Sequence, residues 1–319
     1  MKQKLFVGVD TSNYTTSLAV CSAEGEIIAN LKAPLPVKVG ECGLRQSDAV
    51  FAHVRNIPLL MPQLREILRG AEVLAIGCSA TPRKAEGSYM PCFLAGRAVA
   101  ETLSAGLDAP LFETAHQDGH VMAALYSAGC AETLTQAPFA AFHVSGGTTE
   151  MLYAEPSDDG FALQLIGETN DLNAGQAIDR VGVMMGLQFP CGKEIESLAA
   201  GFSGKLPKPL VSVKEGRCNL SGLQNLAEKL WRESGDRSAV SAFVLAFIGE
   251  TLKRMTDHID ATYSRELPII YAGGVMSNRY LQSVLSKREN TYFAEPQFSA
   301  DNAAGVALLC RTAFLRQSS

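Results

Sequence analysis

His116 and His120 stand four residues apart in the stretch Glu113-Thr-Ala-His-Gln-Asp-Gly-His-Val-Met-Ala-Ala-Leu-Tyr126. In a helix this spacing puts two imidazoles on one face, within reach of a single metal ion. Spacing alone also fits a pair of surface histidines, so a metal needs further ligands. Gly119, between them, costs a helix ~1 kcal/mol relative to Ala and points to a separate demand at that position. His143 adjoins a glycine turn, and Asp301 opens the last expected helix, where it also reads as an ordinary cap. If a cleft brings these residues together, three imidazoles and one carboxylate suit zinc or ferrous iron.

Three further segments offer the means to wrap a phosphate. Asp10-Thr-Ser12, Ser145-Gly-Gly-Thr-Thr149 and Gly273-Gly274 each follow an apolar run and supply small residues, backbone N–H groups or hydroxyls. One such turn is a weak signal, and three at corresponding points of a repeat are a stronger one. Asp10 can hold a metal-bound phosphate through water, or simply cap its turn. In the stretch 167–180, Asn170 or Asp171 is placed to cap a helix that begins near Asn173. Asp171 and Asp179, eight apart, fall roughly on one face, where they can meet ribose hydroxyls; an ordinary capped helix is the plainer reading.

The elements that must position these residues repeat. Residues 5–9, 16–21 and 27–31 read as three strands separated by a polar turn and an acidic glycine turn, and residues 139–144, 150–154 and 161–166 read the same way. Helical spacing of apolar residues is expected over 48–68, 93–107, 174–186, 194–200, 240–261 and 278–287, with strands near 73–78, 110–112 and 267–272. Strands alternating with helices of this length give an α/β class with mixed sheets. The duplication predicts two similar domains facing a nucleotide cleft, over residues 1–130 and 131–319. The last helix, about 301–316, is expected to pack back toward that cleft.

Composition narrows the class. The chain has 319 residues, 47% hydrophobic and 19% charged, which is the balance of a globular protein. The start lacks the pattern of a signal peptide, and no apolar run approaches a membrane span, so a cytoplasmic protein without a membrane partner is expected. The eight cysteines are scattered without a Cys-x-x-Cys pair, which fits free thiols better than a disulfide framework. A formal net charge of −5 gives no global pull toward nucleic acid, so any such binding needs a local basic patch or a partner's surface.

Taken in order, these motifs resemble the catalytic threonylcarbamoyl-transfer subunit of tRNA N6-threonylcarbamoyladenosine synthase, a family long described as O-sialoglycoprotein endopeptidase. Gly8-Val-Asp-Thr-Ser12 is similar to its opening phosphate turn, 47–60 with His53 to its first helix, and His116-Gln-Asp-Gly-His120 to its metal motif. Val144-Ser-Gly-Gly147 with Thr149, Gly167 to Arg180, Ala272-Gly-Gly-Val-Met-Ser-Asn278 and Ser299-Ala-Asp-Asn-Ala-Ala304 resemble its nucleotide and final metal motifs. The resemblance implies a duplicated actin/hexokinase/Hsp70-like (ASKHA) fold. It implies that His116, His120 and Asp301 bind iron or zinc, with His143 as fourth ligand where some members carry tyrosine. It implies that Ser12, Ser145, Gly146, Gly147, Asp171, Gly175, Asp179, Gly274 and Asn278 line the site of an adenine nucleotide (ATP, AMP or an acyl-adenylate). The implied reaction is attack of an adenine N6 amine of tRNA on threonylcarbamoyl-adenylate, with Asp10 or His53 helping to remove the proton, in the company of other proteins of the same pathway.

The chain also departs from that family. After the strand at 73–78 the family has a Gly-Pro-Gly turn, whereas this chain reads Ser79-Ala-Thr-Pro-Arg-Lys-Ala-Glu-Gly-Ser88, and Thr148, Leu172, Gln176 and Leu220 replace more usual residues. The loop is expected to meet a different substrate or partner surface. A paralogous carbamoyltransferase with another acceptor, and a non-catalytic nucleotide- and metal-binding partner in a complex, are the alternatives. Peptide hydrolysis has little support, because no Glu follows His116 directly.

Overall fold

The computed structural model describes residues 2–12, 14–36, 44–298 and 303–317. The chain divides into two compact units. The first comprises Met1–Ala131, Pro156–Leu163 and Gln297–Ser319, the second Glu132–Glu155 and Gln164–Pro296.

In the first unit, β1 (Lys4–Ser12), β2 (Thr15–Ser22), β3 (Ile27–Pro34), β4 (Glu72–Thr81) and β5 (Leu111–Ala115) form one sheet in the order β3-β2-β1-β4-β5. β1 and β2 are buried almost throughout, the mark of strands covered on both faces. The covering elements are α1 (Gln46–Leu68), α2 (Phe93–Leu107) and the C-terminal helix (Ala304–Gln317). Leu5, Val7, Val9, Leu18, Leu60, Leu64 and Ile76 make a core there. The histidine helix, α3 (His116–Ser127), follows directly on β5.

After the one-turn α4 (Ala131–Leu134), the second unit carries most of β6 (Phe139–Val144), β7 (Thr149–Ser157) and β8 (Gly160–Glu168). Next come α5 (Ala174–Met184), α6 (Gly192–Ala200), a short hairpin of β9 (Ser212–Lys214) and β10 (Arg217–Asn219), α7 (Gly222–Ser234) and α8 (Arg237–Thr262). β11 (Ile269–Ala272), α9 (Arg279–Leu285) and β12 (Thr291–Phe293) complete it. Its main sheet, read from β8, runs β8-β7-β6-β11-β12, the order of the first sheet repeated. In both, the first strand pairs antiparallel with the next strand in sequence and parallel with one that arrives much later. The duplicated strand pattern thus becomes two mixed sheets of one topology. No helix among the described residues is long and apolar enough to cross a membrane.

One expectation needs correction. Asp10, Thr11 and Ser12 are not a turn: they extend β1, paired with Ser17, Thr16 and Thr15, and are buried. Their polarity mimics a turn, yet the ladder continues; the Thr11 hydroxyl donates to the Cys92 carbonyl and accepts from the Gly96 amide. The exposed 81–88 loop is tied down where Lys84 reaches inward, to Asp118 and Asp159.

Candidate functional site

α3 opens at His116, with Ala115 extended at its N-cap, so the first imidazole sits where the chain leaves the sheet. His116 and His120 meet on one face: their Nε2 atoms lie 2.9 Å apart and their ring centroids 4.4 Å apart. The other nitrogen of His116, Nδ1, is 3.0 Å from Asp10 Oδ1, and the same oxygen accepts from the Ser79 hydroxyl. Asp10 is fully buried. A carboxylate on Nδ1 fixes the imidazole tautomer and leaves the lone pair on Nε2, the arrangement found behind metal-ligating histidines.

Gly119 also gains an explanation. A Cβ at Gly119 would lie 3.2 Å from Val306 Cγ2, and one at Gly305 would fall on the Gly119 carbonyl oxygen. The missing side chains let α3 and the C-terminal helix approach closely, so the glycine in the motif serves helix packing.

His53 is fully buried on α1, its Nδ1 2.9 Å from Thr16 Oγ1. Burial lowers its pKa, opposed by the Ser12 backbone and the Asp10 charge. Ser12 is buried on β1, and Asp301 lies outside the described residues. Among the described residues no group of three or more His, Cys, Asp or Glu side chains is gathered closely enough to hold a metal ion.

In the second unit the glycine turn lies between β6 and β7. The Ser145 hydroxyl accepts from the Gly147 and Thr148 amides at 3.2 and 3.0 Å, folding the turn back on itself. Gly146 and Gly147 are exposed, and a Cβ on either would meet nothing within 4 Å. The start of α5 docks against this turn: the Gly175 amide donates to the Ser145 carbonyl, and the Thr149 hydroxyl accepts from the Ala174 amide at 2.9 Å. A Cβ at Gly175 would stand 2.7 Å from the Gly146 backbone. Gly273, at φ 100°, closes on Val144, and Gly274 beside it is open. A helix N-terminus and two glycine segments therefore share one end of β6 and β11, a concentration of backbone donors suited to an anion. His143 lies on β6, half-buried, opposite Glu150 and Ala272.

The remaining expected nucleotide residues have structural partners. Asp171 precedes α5, so it does not share a helix face with Asp179, and Asn173 is the N-cap in place of Asn170 or Asp171. The Asp171 carboxylate instead accepts from the Leu172, Leu220 and Ser221 amides and from the Ser221 hydroxyl. Burial alone would raise its pKa, but these hydrogen bonds prevail and bring it to about 2. Asp179 accepts from the Cys191 amide at 2.7 Å; burial raises its pKa and that bond opposes the rise. Asn278, nearly buried, caps α9 through Oδ1 to the Leu281 amide. A cavity of about 780 Å³ opens next to it, lined by Lys193, Glu196, Phe202, Leu245, Ser277 and Tyr280 among others. Sequence reading missed this cavity, Ser79 and the Thr149 cap, since each depends on partners distant in the chain.

Comparison with solved structures agrees on the fold. Full-length HypF in a phosphate- and nucleotide-bound form matches with a TM-score of 0.60 at 12% identity, over 100% of this chain and 56% of that one. This chain thus spans little more than half the HypF length. Component A of the (R)-2-hydroxyglutaryl-CoA dehydratase of Acidaminococcus fermentans matches with 0.54 at 13% identity, over 99% of this chain and all of that one. A ROK family glucokinase from Streptomyces griseus, in complex with glucose and AMPPNP, matches with 0.51 at 13% identity, over 98% and 99%. At such identities the likeness speaks for the fold alone, which is the duplicated actin/hexokinase/Hsp70-like type. The sequence comparison is more specific: residues 51–308, which take in the histidine helix and both glycine segments of the second unit, match the model of one family. The chain belongs to the tRNA N6-adenosine threonylcarbamoyltransferase family, TsaD.

Proposed function

We propose that the protein transfers a threonylcarbamoyl group from threonylcarbamoyl-adenylate to N6 of an adenosine in tRNA, in the cytoplasm, with divalent iron or zinc at the histidine pair. The family match over residues 51–308 carries this reading. Two observations favour a metal here: two Nε2 atoms converge at 2.9 Å, and the Asp10 carboxylate sits on the other ring nitrogen of His116. Asp301 and His143 are the further ligands of this reading. When bound, the ion supplies Lewis acidity toward the carbonyl and phosphate oxygens of the adenylate.

The other tasks belong to the chain itself. The amides around Gly146 and Gly147 and the first turn of α5 hold the phosphate, and Gly274 leaves room for it. The cavity beside Asn278 has the volume and mixed lining that a nucleoside needs. The adenine amine attacks the carbonyl carbon, a C–N bond forms, the bond from that carbon to the phosphate oxygen breaks, and AMP departs while N6 loses a proton. Asp10 orients His116 in this scheme. Asp10 or His53, the latter buried beside Thr16, takes up the N6 proton in this reading. The tRNA is held through local basic patches or by protein partners of the same pathway, given the net charge of −5.

The test is rescue of a strain that lacks its own synthase. The wild-type chain restores threonylcarbamoyladenosine in tRNA, and the double variant His116→Ala/His120→Ala does not. Failure of the wild type, with nucleotide binding retained, would transfer support to another acceptor or to a binding role.

A further inference from the structure

Lys84 lies in the 81–88 loop, and its contacts join the histidine helix to residues 159–161. Its ammonium is 3.3 Å from Asp118 Oδ1 and 2.8 Å from Asp159 Oδ1, and it donates to the Asp159 and Phe161 carbonyls at 3.1 and 3.2 Å. Asp118 is fully buried; its Oδ1 also accepts from the Phe161 amide at 3.0 Å, and its Oδ2 has no hydrogen-bond partner. Two residues before Lys84, the Pro82 carbonyl accepts from the Gln117 amide at 3.1 Å. The 81–88 segment therefore grips α3 at two consecutive residues, between the two histidines.

Helix geometry gives this grip its consequence. Each residue advances about 100° around the axis, so Asp118 lies roughly 160° from both His116 and His120, on the opposite side of α3. Any roll of α3 that moves the Asp118 carboxylate swings both imidazoles the other way. A buried carboxylate left without its cation is driven toward solvent, and α3 must roll or tilt to let it out.

We infer that Lys84 is a positioning residue for the His116–His120 pair: by neutralising buried Asp118 and tying it to the 159–161 turn, it sets the rotation of α3. This rests on reading the two histidines as metal ligands, but the geometry it asserts is measurable without metal. The experiment compares the wild-type chain, Lys84→Met and the double variant Lys84→Met/Asp118→Asn, first metal-free and then titrated with cobalt(II). In metal-free K84M, the imidazole nitrogen resonances of His116 and His120 shift, and α3 amides exchange at least about 10-fold faster. Cobalt(II) affinity falls about 10-fold, the usual cost of losing support behind a ligand. In the double variant, with no charge left to expel, the resonances and exchange rates return to wild-type values. A lowered Tm with wild-type imidazole resonances in K84M would overturn the proposal, as would a double variant that resembles K84M. Should K84M prove insoluble, K84Q replaces it in the same comparison. If the wild type binds no cobalt, the ligand reading fails on its own, and the metal-free spectra still decide the role of Lys84.

Discussion

In the first unit the candidate site consists of side chains held by other side chains: Ser79 on Asp10, Asp10 on His116, His116 against His120. In the second unit a separate set of candidate residues is mostly backbone, and its positions depend on side chains being absent, as where Gly175 rests against Gly146. The contrast teaches two different sensitivities. A side-chain relay loses function by steps, because each member can be replaced by an isostere that keeps its shape. A backbone cradle loses its fold when a side chain is added at a contact point, and only its binding when one is added at an open point.

Substitutions at the extremes of each region give the largest effects. On the proposed reading, His116→Ala or His120→Ala removes a metal ligand, and metal analysis of the purified variant is expected to find the ion lost and transfer abolished. Gly175→Val drives a branched side chain into the Gly146 backbone; thermal denaturation is expected to show a loss of about 3 kcal/mol, with nucleotide binding lost as well. Gly146→Ala, at an open position, should keep the wild-type Tm while weakening nucleotide binding. Equal destabilisation by the two glycine substitutions would break the distinction drawn between contact and open glycines.

Milder changes sharpen it. Asp10→Asn preserves volume but removes the charge behind His116, and metal affinity should fall about 10-fold in a chelator competition assay, with the fold intact. Asp171→Asn acts through pH. The folded carboxyl is held at about 2, below its ordinary 3.8, so its stabilisation is complete above that ordinary value and is lost as pH falls toward 2. Acid denaturation of the wild type should therefore steepen between those two values, and the Asn variant should lack that component. An unchanged acid transition would remove Asp171 from its structural role.

Much of this was legible in the sequence because it is local. The four-residue spacing of His116 and His120, the strand triplets around 5–31 and 139–166, and the Ser145-Gly-Gly turn each state their geometry within a few residues. What was not legible depends on distance along the chain. Ser79 finds Asp10 across 69 residues and Asp10 finds His116 across 106, and no local pattern announces either pair. The polar run Asp10-Thr-Ser misled for the same reason: it reads as a turn until Cys92 and Gly96 supply partners for Thr11. Asp171 misled only in its place: an acidic residue just before a helix reads as a cap, whereas Asn173 caps α5 and the Asp171 oxygens accept from residues 220–221.

The central claim is that the acyl group leaves its adenylate for an adenine amine on this chain, at a site built around His116 and His120. The most direct measurement incubates the purified protein and its pathway partners with tRNA and isotopically labelled threonylcarbamoyl-adenylate, then reads the tRNA nucleosides by mass. Labelled threonylcarbamoyladenosine with the wild type, and none with His116→Ala/His120→Ala, is the predicted result. Unmodified adenosine accompanied by label on another acceptor, or equal modification by both proteins, would contradict the account.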